Sequence, residues 1–311
     1  MIKLEYECEV LTPMVIGGAG EETTEIRVPS VKGMLRYWWR VMQVFNGITD
    51  VNILQKKEGK LFGCIGEKDK AQKSNVSIRS FLLEDPQIDE NVNFFRYKRG
   101  KPYSGEAGLD KGTKFILQFS INDSPYSTES NKTLSSIDIA KEVENSFETL
   151  ALLGGLGRRT RRGFGAFKIN KKTQTIIQQG IIDKTIQPCM SIDDLIKKKG
   201  RKSTYGLHVE KILTFKSAYD NVEDILEIID KISHEQRDVL AKQYPNHIGK
   251  VLVGKALGSA NKHQSSPLYI SVFQHNNKYR LVLTVLAIEP DKTLQEIQNK
   301  FIKELRREYE Q

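Results

Sequence analysis

The sequence predicts an α+β protein built from two ferredoxin-like (RRM-like, βαββαβ) domains with long insertions, the second of them degenerate. Three observations lead there. Periodic segments over residues 2–169 run strand, helix, strand, strand, helix, strand, the order of a split βαβ unit. A less regular strand, helix, hairpin, helix series follows over residues 208–309. The length of 311 residues is enough for two ordinary cores. The expected division is 1–170 for an N-terminal domain carrying a glycine-rich loop and 171–311 for a C-terminal domain, with the boundary in the polar stretch near 170–200.

Each element has its own signal. Residues 2–11 alternate Ile2, Leu4, Tyr6, Cys8 and Val10 with Lys3, Glu5, Glu7 and Glu9, the pattern of a half-buried strand. A glycine-bearing loop follows, and then a helix with Ser30 as N-cap after Pro29, leading into VKGMLRYWWRVMQVF. Residues 76–84 and 113–121 read as strands, 134–153 as a helix ending at Gly154, and 163–169 as a short strand. Insertions occupy 47–75 and 86–112; the second carries the basic run FRYKRGKPYSGEAG and reads as a mobile loop. In the second half, 208–217 reads as a strand and 222–233 as a helix. Residues 267–274 and 279–288 form a hairpin around Asn276-Asn277, and 293–309 is a closing amphipathic helix.

Composition narrows the partner. Lys plus Arg is 48 against 39 Asp plus Glu, a net charge of +9, which favours a polyanion without proving one. The excess is mild, so local clustering matters more than the total. Three cysteines (Cys8, Cys64, Cys189) form no CxxC pair, which argues against a disulfide scaffold or zinc ribbon and for a reducing cytoplasm. Charged residues from Lys3 to Glu9 leave no signal peptide, and the longest apolar run, LVLTVLAI, is too short to span a bilayer. No membrane, cofactor or metal is expected.

Two basic clusters carry the functional signal. On the helix from Val31, the apolar side collects Val31, Met34, Leu35, Trp38, Val41, Met42 and Phe45; the other collects Lys32, Arg36, Trp39, Arg40 and Gln43. Trp38 belongs to the core. Trp39 stands among cations, the arrangement that stacks a base while gripping its phosphates. The alternative is a solvated charged face with Trp39 packed under an insertion, and periodicity leaves both open.

The second cluster is LLGGLGRRTRRGFGAF, residues 152–167. It sets Arg158, Arg159, Arg161 and Arg162 beside Gly154, Gly155 and Gly157. A helix C-cap accounts for one glycine, but not for three glycines and four arginines. Glycine admits close backbone approach and arginine binds phosphate with a planar fork, so the pair suits a sugar-phosphate backbone. Neither a P-loop nor a dinucleotide fingerprint is present. Arg162-Gly163-Phe164-Gly165 starts like the RNP1 strand of an RNA recognition motif, but Ala166 breaks the pattern; Phe164 and Phe167 are expected in the core.

Taken in order, TPMVIGGAG, EIRVPSVKGMLRYWWRVM, LFGCIG and LLGGLGRRTRRGFGAF resemble the RAMP superfamily of CRISPR-associated proteins. VPSVKGMLRYWWR, with HQSSPLYISV further on, is similar to the family of first Cmr subunits in type III-B effector complexes. The matching segments cover most of residues 10–170 and are weaker beyond. The resemblance implies two ferredoxin-like domains in an RNA-guided antiviral complex. It also implies a place near the 3′ part of the guide RNA, a part in engaging target RNA, and other Cmr subunits as neighbours. Target cutting in such complexes belongs to a repeated backbone subunit and nucleotide chemistry to the large one. The family's glycine-rich loop falls on Gly154–Gly165 and its basic helix motif on Ser30–Arg40. With Arg27, Gly17 and Gly18 from the preceding loop, these give the expected RNA-contacting set.

Some RAMP relatives are metal-independent guide-processing ribonucleases, a chemistry that usually needs histidine. The five histidines (His208, His234, His247, His263, His275) all lie in the second half, away in sequence from both basic clusters. His234 and His247 read as surface or helix-end residues, and His263 is the one to watch. Binding without catalysis is the expectation. The alternatives are that ribonuclease activity, or a scaffold contacting only protein.

Overall fold

The computed structural model describes residues 1–17, 25–48, 50–65, 71–94, 106–122, 126–127, 133–176, 182–186, 188, 190–197, 209–245, 247–258, 265–287 and 291–311. In chain order its elements are β1 (Ile2–Val10), α1 (Val28–Phe45), α2 (Val51–Phe62), β2 (Val76–Leu82), β3 (Ile88–Val92), β4 (Glu106–Leu109) and β5 (Lys114–Ile121). There follow β6 (Tyr126–Ser127), β7 (Thr133–Leu134), α3 (Ser136–Leu153), β8 (Phe167–Ile176), β9 (Ile182–Ile186) and α4 (Ile192–Lys197). The chain ends with β10 (Val209–Thr214), α5 (Val222–Gln243), α6 (His247–Leu257), β11 (Leu268–His275), β12 (Lys278–Leu286) and α7 (Lys292–Tyr309). The fold is mixed α/β with antiparallel sheets: a five-stranded sheet ordered β2-β5-β1-β8-β9 and a three-stranded sheet ordered β10-β12-β11.

β1 sits at the centre of the first sheet, and its alternation decides both faces. Ile2, Leu4, Tyr6, Cys8 and Val10 are buried. They pack with Phe119 and Phe167 around Phe147 of α3, whose ring lies 4.6 Å from Tyr6 and 5.1 Å from Phe119. The acidic residues of β1 face the other way and meet partners on neighbouring strands. Lys171 pairs with Glu7 at 3.0 Å and Lys168 with Glu9 at 3.1 Å; Gln118 donates to Glu5 at 3.1 Å. Cross-strand charge pairs of this kind stabilise a sheet face open to water. They explain why the polar stretch after residue 169, expected as a link between domains, continues the strand: β8 runs through residue 170 to Ile176, and β9 follows it in the same sheet.

One charge of β8 lies on the core side. Lys172 is fully buried, 3.0 Å from Glu148 and 3.1 Å from Glu144 of α3. Glu148 also accepts the Met190 N–H at 3.0 Å. Burial alone would lower the Lys172 pKa, but the hydrogen bond and charge of Glu148, then Glu144, outweigh it and raise it.

Two helix starts differ in quality. α3 opens on a full capping box between Ser135 and Asp138. α1 begins three residues earlier than expected, with Arg27 in place of Ser30 at its N-cap and no side-chain cap, and Pro29 occupies the first turn, where a missing N–H costs nothing.

In the second sheet, Asn276 and Asn277 both hold positive φ (50° and 60°), the geometry of a type I′ hairpin turn. The helices α5 and α7 run as expected, with α5 extending to Gln243. α6 carried no sequence signal: Gly249 and Gly254 fall inside it, each costing about 1 kcal/mol of helix propensity against Ala. The two sheets are joined. Gly163 donates to the Ile270 carbonyl at 2.9 Å, and the Ser271 hydroxyl donates to the Gly154 carbonyl at 2.6 Å. Tyr269 of β11 is buried in the apolar cluster of the first sheet.

Replacing Lys172 with Met strands the buried carboxylate of Glu148 and the partly buried one of Glu144, so it should cost about 3–5 kcal/mol in denaturant unfolding. Adding Glu148→Gln should recover part of that loss. Equal stability of Lys172→Met and wild type would show that the triad is solvated.

Candidate nucleic-acid interface

Residues 154–165 follow α3 and lie against residues 11–16 before rejoining β8. Arg158 N–H donates to Val15 O at 2.9 Å, Leu156 N–H to Gly165 O at 2.9 Å, and Gly165 N–H to Pro13 O at 3.0 Å. The glycines serve this packing. A Cβ on Gly154 would stand 2.5 Å from Trp38 Nε1, and one on Gly155 2.8 Å from Gly165 O. Gly157 has φ +93°, and a Cβ there would strike Val15 O. These three glycines therefore let the chain pack closely against itself, which is reason enough for glycine at each position without a phosphate. Gly17 is exposed with open space around its Cα. Gly18 lies outside the described residues, as do His208, His263 and most of the basic run at 95–105.

The four arginines diverge. Arg158 is exposed and ion-paired with Glu106 of β4. Such a surface pair is worth only about 0–1 kcal/mol, so it exchanges readily for another anion. Arg159 is also exposed, holds φ +55°, and has its guanidinium 5.4 Å from the Phe94 ring. A non-glycine residue in that region carries a backbone cost on the order of 1 kcal/mol. Arg161 turns toward β11: it donates to the Ser266 carbonyl and lies over the rings of Tyr269 (5.4 Å) and Tyr37 (5.6 Å). Arg162 reaches the second half of the chain, donating to Ser233 Oγ at 3.3 Å and Leu257 O at 3.2 Å. Burial, then the charges of Arg237 and Arg159, lower its pKa to about 9. Arg161 and Arg162 thus tie the loop to the second sheet and its helices.

The basic face of α1 is covered by α2. Glu58 of α2 accepts from both Arg36 Nε and Arg40 Nη1 at 2.6 Å, and both arginines remain partly exposed. Trp39 is 0% exposed, 6.0 Å edge-on to Phe62 of α2, and donates to Glu142 of α3 at 2.7 Å. Burial raises the Glu142 pKa, and the Trp39 bond opposes that rise. A ring so enclosed stacks no base, which corrects the expectation for Trp39; it packs under the 47–75 insertion. Trp38 is in the core as expected, 5.3 Å from Tyr269. Lys32 is half-buried, its pKa lowered by burial and then by Arg36, and Arg27 is exposed. The basic helix and the arginine loop are neighbours, meeting where Arg161 lies over Tyr37 of α1.

Two residues of α5 carried no functional signal in the sequence, and His234, read as a surface or helix-end residue, is half-buried within the helix. Arg237 and His234 line one cavity with Arg159 and Arg162. Only folding sets them beside the loop. Among the described residues no group of three His, Cys, Asp or Glu side chains stands together as metal ligands.

Residues 7–168 match the sequence model of the RAMP superfamily. Two curated relatives come from Pyrococcus furiosus. The CRISPR system Cmr subunit Cmr1-2 is 24% identical over 200 residues, 57% of this chain and 100% of that protein. Cmr subunit Cmr1-1 is 26% identical over 185 residues, 56% of this chain, and the match spans only 49% of that protein. Among solved structures, apo Cmr1 from Pyrococcus furiosus superimposes with TM-score 0.59 at 19% identity, covering 97% of this chain and 96% of that one. A chain of type III-B Cmr-β bound to cognate target RNA and AMPPnP, in the presence of ssDNA, gives TM-score 0.60 at 13% identity, covering 98% and 99%. At these identities the structural likeness is one of fold.

Gly157→Ala combines a left-handed backbone with a clash against Val15 O, so its melting temperature should fall by several degrees. Gly17→Ala, with open space on every side, should melt with the wild type. Equal melting of both variants would mean that the loop is not held against residues 11–16.

Proposed function

Because the chain belongs to the RAMP superfamily, we propose that it is a non-catalytic RNA-binding subunit of a type III-B CRISPR effector complex in the cytoplasm, holding guide RNA, target RNA or both. The observation that carries this reading is the pair Arg158 and Arg159: two adjacent exposed guanidiniums on a loop whose backbone is pinned at Val15 and Pro13. Two arginine forks carried on a fixed backbone offer a phosphate chain adjacent contacts, and no backbone has to be ordered on binding. Arg27, Lys32, Arg36 and Arg40 extend the basic surface along α1. Other Cmr subunits are the protein partners, in keeping with the names of the relatives. Among the described residues no helix is long and apolar enough to cross a membrane.

The fold supports the same assignment. In the first sheet the strands β2-β5-β1-β8, with α1 and α3, have the order and connectivity of a ferredoxin-like unit. In the second, β10, α5, β11, β12 and α7 give the same series without its last strand. We read them as two ferredoxin-like domains, the second degenerate.

One observation favours a second reading, metal-independent RNA cleavage. His234 lines a cavity with three arginines, and histidine beside phosphate-binding groups is the means of acid–base cleavage. Labelled RNA cut without divalent metal by wild type, and left intact by His234→Ala, would establish it and end the non-catalytic reading.

Binding of single-stranded RNA should weaken steeply with salt. If Arg158 and Arg159 each hold one phosphate, Arg158→Ala/Arg159→Ala should reduce the slope of log K against log salt by roughly 1.4. Trp39→Phe should leave that slope unchanged. A wild type that binds no RNA, or a double variant with an unaltered slope, would assign the basic surface to a protein neighbour.

A further inference from the structure

We propose that Arg159, Arg162 and Arg237 form a pocket that takes one phosphate group, held between the arginine loop and α5. The proposal rests on the RNA reading for its natural occupant, one phosphate of the bound strand; the pocket itself stands on its own geometry.

The pocket is a cavity of about 80 Å³, with Asp230, Ser233 and His234 of α5 completing the wall around the three arginines. One water needs only about 10–15 Å³ on the same measure, so the cavity has room for one phosphate. The aromatic ring nearest the arginines is not free to stack: Phe94 lies edge-on to Phe164 at 5.0 Å and under the Arg159 guanidinium.

Like charges converge here. Three guanidiniums line the cavity with one carboxylate, Asp230. Arg162 and Arg237 both donate to a single acceptor, the Leu257 carbonyl, at 3.2 and 3.1 Å. That carbonyl ends α6, and the negative end of a helix favours nearby cations by roughly 0.3–1 kcal/mol. Arg162 and Arg237 thus share one neutral carbonyl, and Asp230 is the one carboxylate among the residues lining this half-buried space. Arg237 Nε is buried with no hydrogen-bond partner among the described residues. The mutual repulsion is felt within the cluster, since Arg159 also lowers the pKa of Arg237 after burial.

A phosphate answers each of these features. It brings negative charge to guanidiniums that repel one another, and its oxygens accept from several forks at once. The arginines converge from two separate segments of chain, so they surround an anion as adjacent residues of one surface strip would not. Arg162 and Arg237 lie deeper than the exposed Arg158, in a cavity that the exposed Arg159 also lines.

Arg237→Gln in the full chain tests the pocket. Two measurements are made: melting in potassium phosphate against potassium chloride at equal ionic strength, and single-stranded RNA binding across a salt series. Phosphate is expected to raise the melting temperature of wild type and of Arg158→Ala but not of Arg237→Gln. The RNA salt slope of Arg237→Gln should fall by roughly 0.7, one phosphate on a single strand. Arg237→Gln should fold, because it removes a repelling cation; Arg237→Lys, which keeps the charge and loses the fork, serves as the second variant and should show a reduced phosphate effect. Phosphate stabilisation that depends on Arg237 while wild type binds no RNA would uphold the pocket with a free phosphate as its ligand and overturn the RNA reading. RNA binding with an unaltered slope in Arg237→Gln, and no phosphate effect on wild type, would overturn the pocket and leave the RNA reading standing.

Discussion

The backbone of residues 154–165 hydrogen-bonds in two directions, to residues 13–15 on one side and to Ile270 of β11 on the other. The Ser271 hydroxyl adds a bond to the Gly154 carbonyl. This double attachment couples the two sheets and fixes the backbone from which the loop arginines project. The glycines make it possible, because at Gly155 and Gly157 the room for a side chain is filled by backbone carbonyls. Buried carbonyls and N–H groups must be paired, and here they are paired by bringing three strands of chain within one bond length of each other.

The same attachment resolves why four arginines can crowd into five residues. They do not share one environment. Arg161 and Arg162 satisfy acceptors on the second half of the chain, at Ser266, Ser233 and Leu257. Arg158 and Arg159 stay at the surface. Repulsion between neighbours is relieved partly by that divergence and partly by Glu106 and Asp230. The inner pair serves packing, and the outer pair is left at the surface.

α2 plays the complementary part on the other cluster. By supplying Glu58 to Arg36 and Arg40, and Phe62 to Trp39, it turns a helix face that would otherwise be solvated into a packed layer. What it leaves outside is the partly exposed rim of the two arginines, together with Lys32 and Arg27.

The sequence by itself determined β1, α1, α3, the Asn276-Asn277 hairpin and α7. Their periodicities of two and 3.6 and their turn residues are local properties, legible wherever they occur. It also determined that Trp38 is core, because that residue lies in the middle of an apolar stripe. Tertiary structure decided the fate of Trp39, the use of the glycines and the split of the arginines. Periodicity assigns a residue to a face but does not say what covers that face, and an insertion did. Arg237 and His234 joined the arginine loop only through folding, since the contact depends on α5 packing across the second sheet. The polar strand β8 was hidden for the same reason: its lysines are stabilised by glutamates on β1, and no window of sequence contains both.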